Sequence, residues 1–572
     1  MAGVYAALLH NPGVPGGPDV GIAGTVPGIV TGGDIPEPLV VAAHDRLTSN
    51  ARRFDALLSE ATGAGLSPPE IAARAERVAR FGVRHHPGAL AATELEHLVE
   101  QAGRRLTLTR TAARPRRVGS APDVRRVLHV LTAARDAGGH TRLAWNWIRH
   151  DRGRRHDVVL LDQTGRLVPY QLAKHAYGSG GHVVDLTPLR TGYVRQVEAL
   201  SERAATADVV VLHHHPHDPV PGLTFADPED RPPIILVNHA GRVFATGFAV
   251  ADVVAWLRPS TGDLLVTRRG MPPERTAFLP IPLTPPSSPR RAHAHRRATR
   301  ARLGIPADAV VVVTMANAWK YRPIDDVALP ACFADILARH PDAHVVAVGP
   351  APDADWAPAI AATQGRIHAV GEHTDPTPYL DAADLAVDSH PVSSETAVRD
   401  VALAGLPVVS LARWRSAAPA TAIDLPGPAD DLLVRAATVE QLDAVVDDLL
   451  TDPAGRRGRG ARLRDALAAD GLGPGFVTAL DALYDRVLAS TPVTASELGA
   501  AHRELGAIDA YTVLTTSGPE GIPSVAQLLD AGEADPGRRR PRLVSTRPTP
   551  LRLRALVARL RHRVEARRSA PD

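Results

Sequence analysis

Short runs of aliphatic and β-branched residues alternate with helix-length amphipathic segments over two stretches of the chain. In the first stretch the apolar runs predict five strands, at 127–132, 158–162, 182–186, 209–215 and 234–239. In the second stretch they predict five more, at 310–315, 344–349, 367–371, 385–389 and 406–411. Strands that alternate with helices form parallel sheets through right-handed crossovers. The pattern therefore predicts an α/β protein with two tandem Rossmann-like, doubly wound domains.

Helical periodicity and Pro/Gly punctuation predict what surrounds these two domains. Apolar residues recur at helical spacing in segments 42–61 and 68–81, whereas the stretches before and after them are rich in Gly, Pro or Arg. A Pro-, Ser- and Arg-rich segment also separates the two sets of strands. We expect an N-terminal coil and helical extension at 1–120, a first domain at 121–285, a linker at 286–303, a second domain at 304–489, and a C-terminal tail at 490–572.

The tail contains a basic amphipathic segment. Leu553, Leu556, Leu560 and Val564 fall on one helical stripe, with Arg on most other faces. This pattern fits a helix that lies on an anionic membrane surface, or one that packs on the protein with its Arg side chains solvated. The chain has no apolar run long enough to span a bilayer, and its start does not resemble a signal peptide. We therefore expect a cytoplasmic protein, with peripheral membrane contact if the tail binds lipid.

Composition excludes some kinds of site and draws attention to two lysines. The 65 basic and 62 acidic residues leave a formal charge of +3, which gives no reason to expect nucleic-acid binding. One cysteine, Cys332, excludes an intramolecular disulfide and a cysteine-based metal cluster, and we expect it to be a small buried hydrophobe. Only Lys174 and Lys320 are lysines in this Arg-rich chain. A lysine retained against that background suggests a position where Arg does not substitute.

Candidate chemistry in the first domain follows its strands. Gly138, Gly139 and His140 lie between the first strand and the next helix, where a glycine pair lets the backbone approach an anionic ligand at a helix N-terminus. The same residues also fit a tight turn that the fold requires. His239 and the run 213–215 follow two buried strands, and histidine suits proton transfer or charge stabilisation near neutral pH. Adjacent strand residues point to opposite faces, so the three successive histidines are not expected to bind one metal ion.

Lys320 and Arg322 follow the first strand of the second domain. A cation at that position can reach a diphosphate held over the strand ends, although an ordinary surface charge is the alternative.

A helix start in the second domain supplies the remaining candidates. Ser394 is a plausible N-cap, and Glu395 and Thr396 lie in the first turn. Such a start can hold a phosphate, and Asp400 further along could accept hydrogen bonds from a ribose diol. For Glu395, favourable placement of an acid in a first helical turn is the alternative.

Taken in order, these segments resemble the GT-B glycosyltransferases, specifically bacterial glycosyltransferase group 1. The segments that carry the resemblance are 127–148, 209–216, 235–240, 266–283, 296–323, 339–350, 367–391 and 400–411. The resemblance implies a nucleotide-sugar donor bound mainly by the second domain, an acceptor bound mainly by the first, and no required cofactor. The acceptor is an unidentified glycan, lipid, protein or metabolite.

The resemblance also assigns roles to individual residues. It implies that Gly138 and Gly139 approach the donor phosphates and that His239 lies near the transferred sugar. It places Lys320 and Arg322 in the region of the family's diphosphate-binding cations.

Asp400 matches the second acid of the family's E-x7-E motif. The first acid would fall at Val392 and is missing, and Ala316-Asn317 replaces the usual Gly-Arg. These departures resemble the O-linked N-acetylglucosamine transferases. Two rivals to glycosyl transfer remain: a GT-B nucleotide-sugar epimerase, and a non-catalytic scaffold that binds sugar nucleotides or glycans.

Overall fold

The computed structural model describes residues 37–107, 119–136, 139–323, 326–413, 423–503 and 506–516. Its first sheet has seven parallel strands in the order β3-β2-β1-β4-β5-β6-β7. They are β1 Arg126–Leu131, β2 Arg155–Leu160, β3 Val183–Asp185, β4 Val209–His213, β5 Ile234–Asn238, β6 Val253–Trp256 and β7 Thr276–Phe278. The five strands expected from the sequence are all present, and β6 and β7 complete the sheet.

The second sheet has six parallel strands in the order β10-β9-β8-β11-β12-β13. They are β8 Val310–Met315, β9 Ala343–Val348, β10 Ile367–Gly371, β11 Leu385–Val387, β12 Val408–Leu411 and β13 Val434–Ala436. Central strands such as β4 and β12 are buried along their whole length, because helices cover both faces of the sheet. The predicted fold class, two tandem Rossmann-like domains, is confirmed.

The helices alternate with the strands as the crossovers require. In the N-terminal extension and the first domain they are α1 Glu37–Ala61, α2 Pro68–Arg84, α3 Thr93–Thr107, α4 Gly139–His150, α5 Tyr170–Gly178, α6 Val194–Ala204, α7 Val220–Thr224 and α8 Pro259–Thr267. From residue 289 onwards they are α9 Pro289–Leu303, α10 Leu329–Arg339, α11 Ala357–Ala362, α12 Thr377–Ala382, α13 Glu395–Leu403, α14 Pro428–Asp431, α15 Val439–Thr451, α16 Pro453–Gly471, α17 Pro474–Ala489 and α18 Ala507–Thr516.

The strand order of each sheet contains a switch point, where consecutive crossovers leave in opposite directions. In the first sheet it lies between β1 and β4, and in the second between β8 and β11. Ligands of doubly wound sheets bind beyond the carboxyl ends of the strands at such points. The loops after these four strands are therefore the places to look for a site.

The segment 286–303, expected to be a linker, forms helix α9 over most of its length. Ser288 occupies the N-cap position and Pro289 the first turn, where proline is tolerated. On the side that faces the second domain, Arg296 and Arg300 donate to the carboxylate of Asp384 at 2.8 and 2.7 Å. These contacts stabilise the helix. The segment is so polar that its sequence shows no apolar stripe that would predict a packed helix.

Helix α17 follows the second sheet in sequence but packs on the first domain. The Trp147 indole N–H donates to the Tyr484 hydroxyl at 3.1 Å, and this hydroxyl donates to the carboxylate of Asp151 at 2.9 Å. Arg154 donates to Asp481 of the same helix at 2.8 Å. The last turns of the second domain thus complete the core of the first.

The N-terminal extension and the segment 490–516 pack together on the first domain. The buried carboxylate of Asp509, in α18, accepts hydrogen bonds from Arg268 at 2.8 Å and lies 2.8 Å from the Nε2 atom of His86. In the same helix, the Tyr511 hydroxyl donates to the Pro391 carbonyl of the second domain. Helix α18 is therefore fixed to the first domain and touches the second.

The amphipathic segment expected within 551–572 lies outside the described residues. Among the described helices, none combines the length and the apolar character needed to cross a bilayer.

Candidate active site

His140 and His239 lie side by side at the carboxyl edge of the first sheet, with ring centroids 4.6 Å apart. His140 stands in the first turn of α4, and its Nε2 atom donates to the His213 carbonyl at 2.5 Å. His239 follows β5, and its Nδ1 atom donates to the Val237 carbonyl at 3.2 Å. Because a carbonyl only accepts, these bonds place the protons on His140 Nε2 and His239 Nδ1. The other nitrogen of each ring is then an acceptor.

Burial keeps both imidazoles neutral. It lowers the pKa of His140, and the hydrogen bond to His213 only partly opposes this. It lowers the pKa of His239 well below its ordinary value, and the neighbouring histidines lower it further. The pair thus presents neutral acceptors, which suit hydroxyl groups of a sugar better than an anion.

The run 213–215 divides among three environments, as the alternation of strand side chains predicts. His213 turns into the core, His214 donates to the Thr246 carbonyl at 3.1 Å, and the His215 ring lies 5.6 Å from that of His140. In the described part of the chain, no group of three or more His, Cys, Asp or Glu side chains is arranged to hold a metal ion.

Three buried histidines, His129, His156 and His213, are linked by hydrogen bonds that all run in the same donor-to-acceptor direction. His156 Nε2 donates to the Asp151 carbonyl at 3.0 Å, so its Nδ1 must accept from His129 Nε2 at 3.0 Å. By the same logic His129 Nδ1 accepts from His213 Nε2 at 3.0 Å. All three rings are neutral, because burial lowers the pKa of each.

We expect the free energy of unfolding to fall steeply as the pH drops from about 7 to about 5. The unfolded chain binds protons on its imidazoles near pH 6.5, whereas the folded chain does not, because burial lowers the pKa of residues such as His129, His213 and His239. Each proton that only the unfolded chain binds contributes a slope of about 1.4 kcal/mol per pH unit. Denaturant titrations at several pH values measure the slope. His129→Asn should lower the slope and the exposed His293→Asn should not; a pH-independent free energy of unfolding would contradict the prediction.

Lys320 is held in the switch-point loop of the second domain. A short 3-10 turn, Ala318–Tyr321, follows β8, and the buried Tyr321 anchors it through a 2.9 Å hydrogen bond between its hydroxyl and that of Thr314. The Lys320 ammonium donates to the Ser393 carbonyl at 2.8 Å and lies 3.5 Å from the Ser394 hydroxyl. Burial, together with the positive charge of Arg242, lowers the pKa of Lys320 to about 8.

The loop that receives Lys320 is organised by Asp388, which follows β11. Its buried carboxylate accepts from the Ser393 hydroxyl at 2.6 Å and from the Ser394 backbone N–H at 3.0 Å. Burial raises the pKa of Asp388, although these hydrogen bonds and the charge of Lys320 oppose the rise. Ser394 occupies the N-cap position of α13 as expected, but its side chain forms no capping hydrogen bond.

Arg242, three residues after His239, faces this loop from the first domain. Burial lowers its pKa to about 10, and the nearby positive charge of Arg258 lowers it further. Among the described residues, neither Arg242 nor Lys320 has a carboxylate within ion-pair distance. Carboxylates act on the two cations only at longer range: Glu395 and Asp424 on Arg242, and Asp388 and Glu395 on Lys320. Two neighbouring cations without a close carboxylate can form a site for an anion.

The acids near these cations are already paired with Arg258, from the loop after β6. The Arg258 guanidinium lies 2.9 Å from Glu395 and donates to Asp424, and Asp424 also accepts from the Ser260 backbone N–H at 2.6 Å. Glu395 pairs in addition with Arg399 in the next turn of α13. Glu395 is therefore an ion-pair partner that joins the two domains.

The loop that carries His239 and Arg242 is supported from below by Arg269. This buried guanidinium donates to the carbonyls of Gly241 and Val243 at 3.1 and 2.9 Å, and to that of Leu90 in the N-terminal extension at 2.6 Å. Removing any of these partners would leave a buried donor unsatisfied. The extension thus helps to position the cleft residues.

Two contacts hold the domains together beside α13. Arg142 donates to Asp400 through both guanidinium nitrogens, one of them at 2.8 Å. A Cβ atom at Gly139 would lie 2.7 Å from the Thr396 methyl group, so only glycine permits this approach. Gly138 lies outside the described residues.

The structure brings most of the sequence candidates to one interdomain region. His140, His239, Lys320 and the start of α13 all border it, whereas the Arg322 side chain is exposed. Asp400 stays our candidate for a ribose contact, and such a contact would share its carboxylate with Arg142.

We expect Arg142 and Asp400 to be coupled in stability but not in nucleotide binding. A bidentate, partly buried pair gives a coupling energy of about 0.5–3 kcal/mol in a double-mutant cycle with Arg142→Ala and Asp400→Ala. If Asp400 binds ribose, Asp400→Ala weakens nucleotide binding, whereas Arg142→Ala frees the carboxylate and does not. Denaturant unfolding and calorimetry measure the two quantities. Additive stability losses would show that the ion pair contributes no stability.

Sequence reasoning missed Arg242, Arg258, Asp388 and Asp424. Asp388 was detectable, because it lies at the carboxyl end of the predicted strand 385–389 and directly follows β11 at a switch point. Arg242 and Arg258 also follow strands, but in a chain with 63 arginines their type carries no signal. Asp424 lies in an irregular segment beyond β12, where no pattern singles it out.

No family model matches the sequence, and no curated protein matches it. Among solved structures, a mutant of the Thermobaculum terrenum O-GlcNAc transferase is similar with 16% identity and a TM-score of 0.45, over 73% of this chain and 78% of that one. Anabaena Alr3699/HepE, solved with UDP and glucose, is similar with 15% identity and a TM-score of 0.45, over 63% and 98%. A Rickettsia africae glycosyltransferase is similar with 11% identity and a TM-score of 0.47, over 64% and 99%. At such scores, the function must be argued from the cleft residues themselves.

Proposed function

We propose that this chain is a glycosyltransferase, which moves a sugar from a nucleoside-diphosphate sugar to an acceptor in the cleft between its two domains. The observation that carries the proposal is the pair Lys320 and Arg242, two partly buried cations without a carboxylate at ion-pair distance among the described residues. Lys320 lies at the switch point of the second domain, and Arg242 follows β5 of the first. A diphosphate is the kind of ligand that such a pair neutralises.

The proposed reaction breaks the bond between the sugar's anomeric carbon and the diphosphate oxygen and forms a bond from that carbon to a hydroxyl oxygen of the acceptor. The hydroxyl proton is released, and the nucleoside diphosphate leaves with the electron pair of the broken bond. The transition state is oxocarbenium-like, and negative charge develops on the departing nucleoside diphosphate. Lys320 and Arg242, both partly buried, stabilise that charge. The proposal assigns this role to protein cations and includes no metal ion.

His140 and His239 orient the sugar in this proposal. The free acceptor nitrogens of the two rings can each receive a hydrogen bond from a sugar hydroxyl, and both rings are neutral. Gly139 and Thr396, which touch across the domains, line the same region. Asp400 contacts the ribose, and Arg322 supplies further positive charge at the mouth.

We further place the reaction in glycan biosynthesis in the cytoplasm, where nucleotide sugars are the common donors. The acceptor is a glycan, lipid, protein or metabolite. If the basic segment of the tail binds lipid, the enzyme works at the inner face of a membrane.

Calorimetry of the purified full chain with UDP, GDP, ADP, TDP and CMP tests the proposal. We expect one nucleoside diphosphate to bind and Lys320→Ala and Asp400→Ala each to weaken it. Arg457→Ala, which removes an exposed cation of α16, is the control. Binding of no nucleotide would contradict the donor site and favour a scaffold. Conversion of the bound sugar nucleotide to an epimer without acceptor would favour an epimerase.

A further inference from the structure

A second surface of the first domain combines exposed aromatic rings with positive charge. We call it the α4–α5 face, formed by Trp145, Tyr170, Lys174, His175 and Tyr177. Tyr170 and Tyr177 are 55% and 38% exposed, and with Lys174 they fall on one side of α5. The rings of Trp145 and His175 stack with centroids 5.7 Å apart and planes 11° apart. Exposed aromatic rings that lie together in this way mark a binding surface.

The face has a uniform sign of charge. The segments 139–150 and 164–178, which form both helices and the loop before α5, contain no Asp or Glu. Lys174 is exposed, and among the described residues neither it nor Arg149 forms an ion pair. Burial and the charges of Lys174 and Arg149 lower the pKa of His175 to about 4. The effect of these two charges agrees with a positive potential at this face. Charge complementarity therefore requires an anionic occupant.

The face is continuous with the cleft. The loop that leads from β2 into α5 is tied to the loop after β1, because the Gln163 side chain donates to the Ala134 carbonyl at 2.7 Å and accepts from its N–H at 2.8 Å. A cavity of about 260 Å³ lies between these loops and is lined by Ala134, Arg135, Asp136, Arg166 and Leu167, so its two arginines outnumber its one carboxylate. Helix α4, which contributes Trp145 and Arg149 to this side of the domain, also carries His140 in its first turn.

We propose that the α4–α5 face binds an anionic glycan, the acceptor of the reaction, a conclusion that rests on the proposed function. Aromatic rings stack on the apolar faces of sugar rings, and Lys174 and Arg149 pair with carboxylate or phosphate groups of the glycan. Tyr170 and Tyr177 offer flat rings with polar atoms to a glycan, whereas Leu167, 88% exposed in the loop before α5, is the side chain that a membrane surface would take up.

The test measures binding of the full chain to three probes by calorimetry: an oligogalacturonate, a maltooligosaccharide of equal length, and phosphatidylglycerol vesicles. We expect the oligogalacturonate to bind and the neutral oligosaccharide to bind more weakly. Lys174→Ala should raise Kd for the oligogalacturonate about tenfold, which corresponds to about 1.4 kcal/mol. The double variant Tyr170→Ala/Tyr177→Ala should weaken both oligosaccharides and leave the salt dependence of binding unchanged.

Controls separate this inference from the proposed function. Arg457→Ala, far from the face in sequence and equally exposed, should bind the oligogalacturonate like the unmodified chain. Nucleotide binding should be the same in the Lys174 and tyrosine variants as in the unmodified chain. If a nucleotide binds but neither oligosaccharide does, or if only vesicles bind through these residues, the inference is wrong. If the oligogalacturonate binds through the face but no nucleotide binds, the glycan site stands and the proposed transfer fails.

Discussion

Lys320→Ala should lower the turnover of the donor by about 10²- to 10³-fold, the loss typical of removing one preorganised group that stabilises developing charge. The effect is expected to be large because hydrogen bonding to the Ser393 carbonyl holds the partly buried ammonium in place, and the loop that carries Arg242 is supported by Arg269. Single-turnover measurements with the donor identified by calorimetry separate the chemical step from binding. Loss of binding alone, with an unchanged rate at saturation, would contradict a role in stabilising the leaving group.

The same side chain should set an alkaline limit to donor binding. The pKa of Lys320 lies at about 8, because burial and the charge of Arg242 lower it. Lys320 is therefore charged below about pH 8 and neutral above it, and affinity for an anionic donor should fall as the pH rises through that value. Lys320→Arg should remove this decrease in donor affinity at high pH, since a guanidinium group stays charged. If donor affinity still falls above about pH 8 in Lys320→Arg, another group must cause the decrease.

Asp509→Ala should be the most destabilising substitution of those considered, at about 3–5 kcal/mol, because it leaves the buried Arg268 without its carboxylate. The loss should be local at first. Helix α18 loses its attachment to the first domain, and hydrogen exchange should show lower protection across 507–516 while the central strands keep theirs. Since Tyr511 then leaves the Pro391 carbonyl, we also expect a lower turnover rate.

Asp55→Ala is the matched control for this prediction. Asp55 also pairs with an arginine of the C-terminal segment, Arg503, but both side chains are substantially exposed. Its loss should change the free energy of unfolding by at most about 1 kcal/mol. Equal effects of the two substitutions would show that burial of the Asp509 pair contributes nothing.

Most of the predicted strands contain unbroken apolar runs, and the partly exposed β3 and β10 were predicted as well. Runs such as 209–213 and 310–315 are continuous in Val and Leu because helices cover both faces of the sheet, so their pattern is plain. The missed strands, β6, β7 and β13, have three or four residues each, but length alone does not explain the omission, because β3 and β11 have three residues and were predicted. Helix α9 was missed because its packing uses Arg296 and Arg300, whose polar contacts leave no apolar stripe.

The candidate site was predictable where it depends on position after a strand. His239 was found because it directly follows the buried strand β5. Lys320 was found because it lies in the loop after β8 and is one of only two lysines in the chain. What the sequence could not supply is pairing over long separations. Glu395 and Arg258, 137 positions apart in the chain, form one ion pair, and Asp400 and Arg142 form another. These ion pairs determine which charged side chains have no protein partner and can bind a ligand. No local sequence pattern predicts such long-range pairs.

The return of α17 to the first domain limits how the protein can be dissected. A fragment that stops before the second domain would lose Tyr484 and expose Trp147, which is fully buried in the intact chain. Neither half of this tandem protein is thus an autonomous folding unit as the linear order of the chain would suggest. A first domain produced alone would need the helix 474–489 fused back to it. Any exchange of donor domains between such chains must carry that helix with the first domain rather than with the second.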